Sequence, residues 1–178
     1  MNLEKLFWSK TKVDILKYLL FRRQWVSMRA LEWEIEWTFP AIKKQVDSLK
    51  SADILDVNTD WTWWAISIKP ELQILLRQIF YYWLKWELVD LFSTTYEPMI
   101  DRYYFWKVFW IQLDMDLVII YRNIDESQVD PIKKDIWEIF RWYFINDVNV
   151  VFMSNDEWER RYRLADRFVL SILRTKQN

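Results

Sequence analysis

Apolar and polar positions follow a helical spacing in three stretches near the start of the chain. The first covers residues 10–21, and its apolar stripe consists of Val13, Leu16 and Leu20. Apolar residues three and four positions apart predict an amphipathic helix with one buried face. The second stretch, residues 28–36, follows Ser27, which is a favourable N-cap for a helix.

The third helical stretch begins after Thr38, which can cap a helix, and it carries Pro40 in its first turn, where a missing N–H matters little. Its apolar stripe consists of Ile42, Val46 and Leu49. Two short apolar runs, 54–57 and 65–68, follow with turn residues between them. Such a pair of runs predicts a β-hairpin.

The pattern changes after the hairpin. Pro70 opens a long apolar stripe with helical spacing that continues to residue 91, and the polar stretch 93–98 comes next. The remaining patterns predict a strand, a buried strand, a helix, a strand and a final helix, at 103–105, 117–121, 130–144, 147–153 and 154–173. The predicted fold class is therefore α+β, with parts at 1–69, 70–95 and 96–178.

The first part resembles the ArsR/MarR-like winged helix-turn-helix regulators. The resemblance covers residues 4–69 and is carried by LFWSKTKVDILKYLL and VSMRALEWEIEWTFPAIKKQVDSLKSADIL. In that family the third helix enters the major groove of DNA and the hairpin, or wing, touches the backbone. The resemblance implies contacts to double-stranded DNA from Arg29, Thr38, Lys43, Lys44 and Lys50. Gln45 or Ser48 would then face base edges.

Two alternatives stay open for this part of the chain. The lysines of the third helix are equally typical of a solvated surface, and Glu32, Glu34 and Glu36 would oppose a phosphate backbone. The helix that begins at Pro70 either supports a homodimer, as in such regulators, or connects the winged helix to the second domain.

The amino-acid composition excludes several kinds of catalytic and metal-binding site. The chain has 178 residues, a formal net charge of −1, no Cys and no His, which excludes disulfides, thiol and His catalysis and zinc sites built from Cys and His. Carboxylates are the strong metal ligands that remain. No stretch is apolar enough to predict a membrane span or a signal peptide, so we expect a cytoplasmic protein without a membrane partner.

Glycine and tryptophan occur in abnormal numbers. The chain has 14 Trp and no Gly, although glycine usage of about 7% is ordinary. Several tryptophans stand where turns or helix ends favour glycine, namely Trp8, Trp25, Trp37, Trp61, Trp106, Trp110 and Trp142. Some bacterial lineages read the UGA codon as glycine. Our hypothesis is that most of these residues are glycines in the native protein, encoded by UGA codons that were translated as Trp.

Trp158 has helical spacing and is expected to be a true Trp, as is one of Trp63 and Trp64. The stretch NTDWTWWAISIKPEL, residues 58–72, then becomes the tip of a wing with an Asp-Gly turn, the strongest short hairpin signal. If the tip carries Trp at 61 and 63, we expect exposed rings or a strained backbone there.

The last part resembles the polymerase-β-type nucleotidyltransferases, including the minimal ones. The resemblance covers about residues 96–178 and is carried by YYFWKVFWIQLDMDLVIIY, in which Asp114 and Asp116 stand two positions apart on a strand. Residues at i and i+2 share a strand face, and paired carboxylates suit Mg²⁺ bound to nucleotide phosphates. The resemblance implies a Mg²⁺ site at Asp114 and Asp116 with a third ligand at Asn149 or Asp147.

The catalytic pattern is incomplete. With glycine at position 106 the turn is Gly-Lys rather than the family's Gly-Ser, and the usual third acid corresponds to the neutral Asn149. A DNA-binding transcriptional regulator with a degenerate nucleotidyltransferase-like domain is the favoured interpretation. The alternative is an active Mg²⁺-dependent nucleotidyltransferase with a winged-helix targeting domain. The pattern therefore does not assign catalytic residues or decide whether the chain is an enzyme.

Overall fold

The computed structural model describes residues 7, 9–58, 65–106, 115–122, 124–146 and 148–175. Helices and two small sheets alternate along the chain, which confirms the predicted α+β class. The chain divides into two compact units. Unit 1 comprises residues 1–84 and 142–145, and unit 2 comprises residues 85–141 and 146–178.

In the described part of unit 1, the helices and the hairpin from residue 10 to residue 68 follow the order expected from the sequence. Its described elements are α1 (Lys10–Phe21), β1 (Val26–Ser27), α2 (Met28–Ile35), α3 (Phe39–Ser51), β2 (Leu55–Asn58) and β3 (Ala65–Ile68). The strands form an antiparallel sheet in the order β1-β3-β2. The two-residue β1 is an element that the sequence did not predict, since Val26 and Ser27 have no periodic pattern of their own.

The core of unit 1 lies between the helices and the sheet. Ile15, Leu16, Leu31, Ile42 and Ile66 are fully buried in it. These residues come from all three helices and from β3, so the helical stripes read from the sequence converge on one apolar interior. Burying each such side chain stabilises the fold by about 1.5–3 kcal/mol.

Aromatic side chains that follow directly after a later helix complete unit 1. Tyr143 is fully buried and packs edge to face against Phe21, with ring centroids 6.0 Å apart. Phe144 packs similarly against Tyr18, and the Nζ atom of the buried Lys17 lies 4.1 Å from the Tyr143 ring centroid. Unit 1 is therefore not a continuous piece of chain.

Unit 2 is built around a mixed sheet. The long helix α4 (Pro70–Thr94) runs from unit 1 into unit 2, and it is followed by β4 (Ile100–Trp106), β5 (Met115–Tyr121), α5 (Glu126–Trp142), β6 (Val148–Ser154), α6 (Asn155–Arg163) and α7 (Arg167–Thr175). The described strands have the order β4-β5-β6. Strand β4 is antiparallel to β5, and β5 is parallel to β6 across the α5 connection.

The core of unit 2 joins the sheet to the C-terminal helices. Val118 and Ile120 of β5 pack with Met153 of β6, and Trp158 and Val169 cover them from α6 and α7. Leu117 to Ile120 are all buried, as expected for a parallel strand covered on both faces.

The predicted final helix is two helices in the structure. Helix α6 ends at Arg163, and Ala165 has a left-handed φ of 53°. The Asp166 carboxylate then accepts a hydrogen bond from the backbone N–H of Phe168 at 2.9 Å, which caps α7. The sequence prediction was wrong here because the apolar spacing is continuous across the break, whereas the cap competes locally with helical hydrogen bonding.

Caps at the other helices follow the prediction in part. The Ser27 hydroxyl accepts a hydrogen bond from the Ala30 N–H at 3.1 Å, and the Ser154 hydroxyl accepts one from the Glu157 N–H at 3.2 Å. Thr38 occupies the N-cap position of α3, but its side chain makes no capping hydrogen bond. Helix α5 begins at Glu126 and ends at Trp142, so it starts and stops earlier than predicted.

The tryptophans occupy several kinds of environment. Trp25 has a φ of 57°, as the glycine hypothesis predicts for this turn. Near Trp37 and Trp142 the positive φ falls instead on Glu36 and Phe144, one and two residues away. Trp8 and residues 59–64, with the expected wing tip, lie outside the described residues, and so does Trp110.

The remaining tryptophans differ in how much of their side chain is exposed to solvent. Trp33 lies on the surface of α2 with 85% of its area exposed, whereas Trp158 is 2% exposed and stacks on Tyr104 at 5.3 Å. Trp83 is also buried, which a glycine-like position does not predict. The Trp37 indole N–H donates a 2.9 Å hydrogen bond to the Asp14 carboxylate.

Candidate nucleic-acid interface

Helix α3 presents a basic surface on the side opposite its buried stripe. Ile42, Val46 and Leu49 are buried against unit 1. Lys43, Lys44 and Lys50 are exposed, as the sequence predicts for the solvent side of this helix. A helix of 13 residues is about 20 Å long, which is sufficient to cross a DNA major groove about 12 Å wide.

These three lysines have no acidic partner among the described residues, since none of the ion pairs there includes them. Arg29 at the start of α2 and Thr38 at the start of α3 are exposed as well. Because Thr38 makes no capping hydrogen bond, its hydroxyl is available to an outside acceptor. The five side chains predicted to contact DNA are thus all accessible on unit 1.

The junction of α2 and α3 is held by an acidic side chain. The Glu32 carboxylate accepts a 2.9 Å hydrogen bond from the backbone N–H of Phe39, the first residue of α3. This bond provides the cap that Thr38 does not, and it neutralises part of the positive end of the α3 dipole. Glu34 and Glu36 remain exposed beside the junction, where they would repel phosphate.

The side chains considered for base reading are less accessible. Gln45 and Ser48 are half-buried, whereas Asp47 between them is exposed. Lysines therefore make up most of the charge on the exposed side of α3, and an acid interrupts it.

An ion pair closes the base of the hairpin. Asp53 has a φ of 60° and its carboxylate pairs with the ammonium of Lys69, at the two ends of the hairpin strands. The hydrogen bond that the Lys69 ammonium donates to the Asp53 carboxylate raises the pKa of Lys69 above its usual value. The apolar pattern does not predict this pair, although Asp53 in a turn and Lys69 just after β3 are a signal for a hairpin closed by opposite charges.

The predicted metal site is only partly within the described residues. Asp114 and Asp147 lie outside them, and Asp116 is described through its backbone alone. The register of the parallel strands pairs Asp116 with Asn149, which is exposed. Within the described part of the chain no cluster of three or more acidic side chains could hold a metal ion.

A cavity of about 500 Å³ lies beside β4 in unit 2. Its walls are residues 102–105 of β4, with Lys85, Val89 and Ile172. None of the predicted site residues lines it. The side chains brought together there are mainly apolar and aromatic, with two cations.

The fold defines a mixed α+β protein with two compact units, one of which carries a basic helix surface. No family model and no curated protein matches the chain. Among solved structures, the crystal structure of transcriptional regulator PA3341 is similar, with 16% sequence identity and a TM-score of 0.45. The similarity covers 78% of this chain and 82% of that chain. No helix in the described ranges is long and apolar enough to cross a membrane.

Proposed function

We propose that the protein is a DNA-binding transcriptional regulator. Unit 1 is the winged helix-turn-helix domain, α3 is the helix that enters the major groove, and double-stranded DNA is the partner. The order of the elements from α1 to β3 supports this proposal. The two sides of α3 support it as well, because one side is buried in the core of unit 1 and the other is exposed to solvent.

The observation that carries the proposal is the set of exposed lysines on α3 that have no acidic partner within the described ranges. Lys43, Lys44 and Lys50 would neutralise phosphates and release counterions, and Arg29 would add a contact from α2. The whole chain carries no excess of positive charge, so attraction to DNA has to come from this local surface.

The test is the salt dependence of DNA binding. In the Lys43→Ala/Lys44→Ala variant we expect weaker binding to every sequence and a salt slope smaller by about 2, roughly one for each phosphate that is no longer neutralised. The matched control is Lys134→Ala, because Lys134 is exposed on α5 in unit 2. An unchanged slope in the double variant would argue against α3 as the DNA-binding helix.

We also propose that unit 2 contains a nucleotidyltransferase-like domain. The pairing of Asp116 with Asn149 on adjacent parallel strands supports the predicted placement of a third ligand beside the Asp-x-Asp strand. Asn is neutral, so this donor set suits one Mg²⁺ shared with nucleotide phosphates better than two ions. A bound Mg²⁺ would stabilise the negative charge of a phosphoryl group. In the proposed regulator, unit 2 keeps the fold of a nucleotidyltransferase but does not catalyse the reaction.

The alternative, an active nucleotidyltransferase, is distinguished by turnover of labelled ATP with Mg²⁺. Turnover by the wild-type chain that disappears in Asp116→Asn would establish the enzyme. Absence of turnover in both, with nucleotide binding retained in the wild type, supports a degenerate domain. Binding of the nucleotide is measured separately by calorimetry.

We further propose that most of the tryptophans are glycines in the native protein. The left-handed backbone at Trp25 and the exposure of Trp33 support this proposal. The codons of the gene provide the test, because UGA at positions such as 25 and UGG at position 158 are expected. UGG at the turn positions would end the hypothesis.

A further inference from the structure

Unit 2 carries an exposed arginine cluster that consists of Arg160, Arg163 and Arg167. Arg160 and Arg163 lie in the last turn of α6, and Arg167 is the first residue of α7. Residues three apart on a helix are neighbours on its surface, and a turn of three residues, 164–166, separates the two helices. Three positive charges are therefore concentrated in a short stretch of the chain.

The arginine cluster faces solvent. Trp158 is 2% exposed and marks the buried side of α6, and at about 100° per residue positions 160 and 163 lie on the opposite side. None of the ion pairs in the described ranges includes the three arginines, whereas Arg161 between them pairs with Glu157. Their guanidinium donors are thus available to an outside anion.

Helix stability does not account for the whole cluster. Arginines in the last turn of α6 interact favourably with the negative end of the helix dipole. Arg167 lies instead in the first turn of α7, where the dipole is positive and a cation is unfavourable. An anionic partner would stabilise the charges at both positions.

The number and kind of charges favour the phosphates of a nucleic acid as that partner. Guanidinium groups can bind phosphate through two parallel hydrogen bonds, and phosphate contacts of this kind are a large share of a protein–DNA surface. Recognition of an anionic membrane takes about four to eight clustered cations, more than the arginine cluster has. Tyr162 and Leu164, which are 51% and 75% exposed beside it, are too few to insert an apolar face into lipid.

We propose that the arginine cluster is a second phosphate-binding surface, with which unit 2 contacts the backbone of double-stranded DNA. The inference rests on the proposed DNA-binding function but concerns another unit and other residues. Contacts to phosphates add affinity without reading sequence, so this surface acts on DNA of any sequence. Asp156, which is exposed one turn before Arg160 on the same side of α6, weakens the attraction.

The test is the salt dependence of binding between the full chain and a duplex of arbitrary sequence. Arg160→Ala/Arg163→Ala should reduce the salt slope by about 2, because two phosphates are no longer neutralised, and Arg160→Lys/Arg163→Lys should keep the slope. The matched control is Lys134→Ala/Arg141→Ala, which removes the same charge from α5 in unit 2. Both control side chains are exposed, and Arg141 likewise lies in the last turn of its helix.

Asp156→Asn tests the same surface by a gain of affinity, which a folding defect cannot imitate. It should strengthen binding about twofold at low salt, because one repulsive charge is removed. The gain should decrease as salt rises. Unchanged affinity in Asp156→Asn, together with a slope in the arginine variant equal to that of its control, would overturn the proposal.

The outcomes distinguish the arginine cluster from the surface on α3. If Lys43→Ala/Lys44→Ala lowers the slope and Arg160→Ala/Arg163→Ala does not, the inference is wrong and the proposed function stands. If the arginine variant alone lowers it, unit 2 binds DNA and α3 does not. A decrease of about 4 in the combined variant supports both surfaces.

A membrane partner is tested with vesicles that contain phosphatidylserine. We expect no binding of the full chain to them at the salt concentration at which it binds DNA. Binding to vesicles that disappears in Arg160→Ala/Arg163→Ala would assign the arginine cluster to lipid phosphates and overturn the proposal. A full chain that binds no DNA at low salt would overturn this proposal and the proposed function together.

Discussion

Trp25 and Trp158 differ in side-chain exposure and in backbone conformation. Trp25 is 56% exposed in a left-handed conformation, whereas Trp158 is 2% exposed in the middle of α6 and stacks on Tyr104. The left-handed region is unfavourable by about 1–2 kcal/mol for a residue with a Cβ atom. Glycine avoids this penalty but has more freedom to lose on folding.

We therefore expect opposite effects on stability at the two positions. Trp25→Gly should raise the free energy of unfolding by about 0.5–1 kcal/mol, the difference between the two glycine effects. Trp158→Ala should lower it by about 3–5 kcal/mol because a large buried ring is removed. Urea denaturation measures both. Destabilisation by Trp25→Gly would contradict the assignment of position 25 as a glycine site.

Tyr96 has an environment from which we predict how stability depends on pH. It is buried in unit 2, and its hydroxyl donates a 2.7 Å hydrogen bond to the Asp135 carboxylate. Burial and, secondly, this bond raise the pKa of Tyr96 to about 12, above the value of about 10 for an unfolded chain. The protein thus favours the neutral phenol.

The consequence is a loss of stability in alkali. The contribution of Tyr96 is complete below about pH 10 and disappears as pH rises towards about 12, because the unfolded chain releases the proton more easily. Tyr96→Phe should reduce stability by about 1 kcal/mol at neutral pH and should make unfolding less sensitive to alkali. The pKa values of Tyr18 and Tyr81 are also raised by burial, so the variant is compared with wild type at each pH. Identical pH profiles would refute the prediction.

Single residues were predictable where backbone chemistry is local. The sequence identified Ser27 and Ser154 as caps and Trp25 as a turn position, because each of these depends on a few neighbouring residues. It did not identify the bond from Trp37 to Asp14 or the capping role of Glu32. Those partners lie 23 and 7 positions apart, and only the packed helices bring them together.

At the scale of elements, the break between α6 and α7 depends on one carboxylate. Asp166 accepts hydrogen bonds from the backbone N–H groups of Phe168 and Val169, at 2.9 and 3.3 Å. Helix α7 contributes Val169 and Ile172 to the core of unit 2. The cap therefore orients an element whose apolar side closes the sheet.

Removal of this cap should be measurable. Asp166→Ala should lower the free energy of unfolding by about 1 kcal/mol, whereas Asp166→Asn should retain most of it because Asn is an equally good cap. Chemical denaturation of both variants is the measurement. If the two variants are equally stable, the carboxylate does not act as a cap.

The apolar spacing predicted most elements because each has one strongly buried side. Helices α1 and α4 begin at the residues predicted from the sequence. The ends of β5 and β6 lie within a few residues of the predicted ones. The pattern predicted the hairpin of β2 and β3, but it did not predict the pairing of β5 with β6, because the order and direction of those strands depend on contacts distant in sequence. Asp116 and Asn149 become neighbours only through the β5–β6 register.

For the whole molecule, the charge balance sets the strength of the proposed DNA binding. The formal net charge is −1, and Glu34 and Glu36 are exposed next to the start of α3. Both carboxylates would face the same phosphates that the lysines of α3 contact. Affinity is thus expected to be limited by acids on the binding surface itself.

Neutralising these acids should strengthen binding. Glu34→Gln/Glu36→Gln should increase DNA affinity several-fold at low salt, from about 0.5 kcal/mol per like charge removed. The gain should shrink as salt rises, since screening weakens repulsion between exposed charges. Glu97→Gln, an exposed position in unit 2, is the control. No gain, or a gain equal to the control, would place α2 and α3 away from the DNA.

The position of Tyr143 and Phe144 affects how this protein can be divided or recombined. These two residues follow directly after α5, and their rings pack against Phe21 and Tyr18 in unit 1. A gene shortened after α4 would leave that aromatic surface of α1 exposed to water, and the product would tend to aggregate. Evolution could therefore not exchange the two units as independent cassettes, because residues 142–145, which complete the interior of unit 1, lie in sequence between the two segments of unit 2.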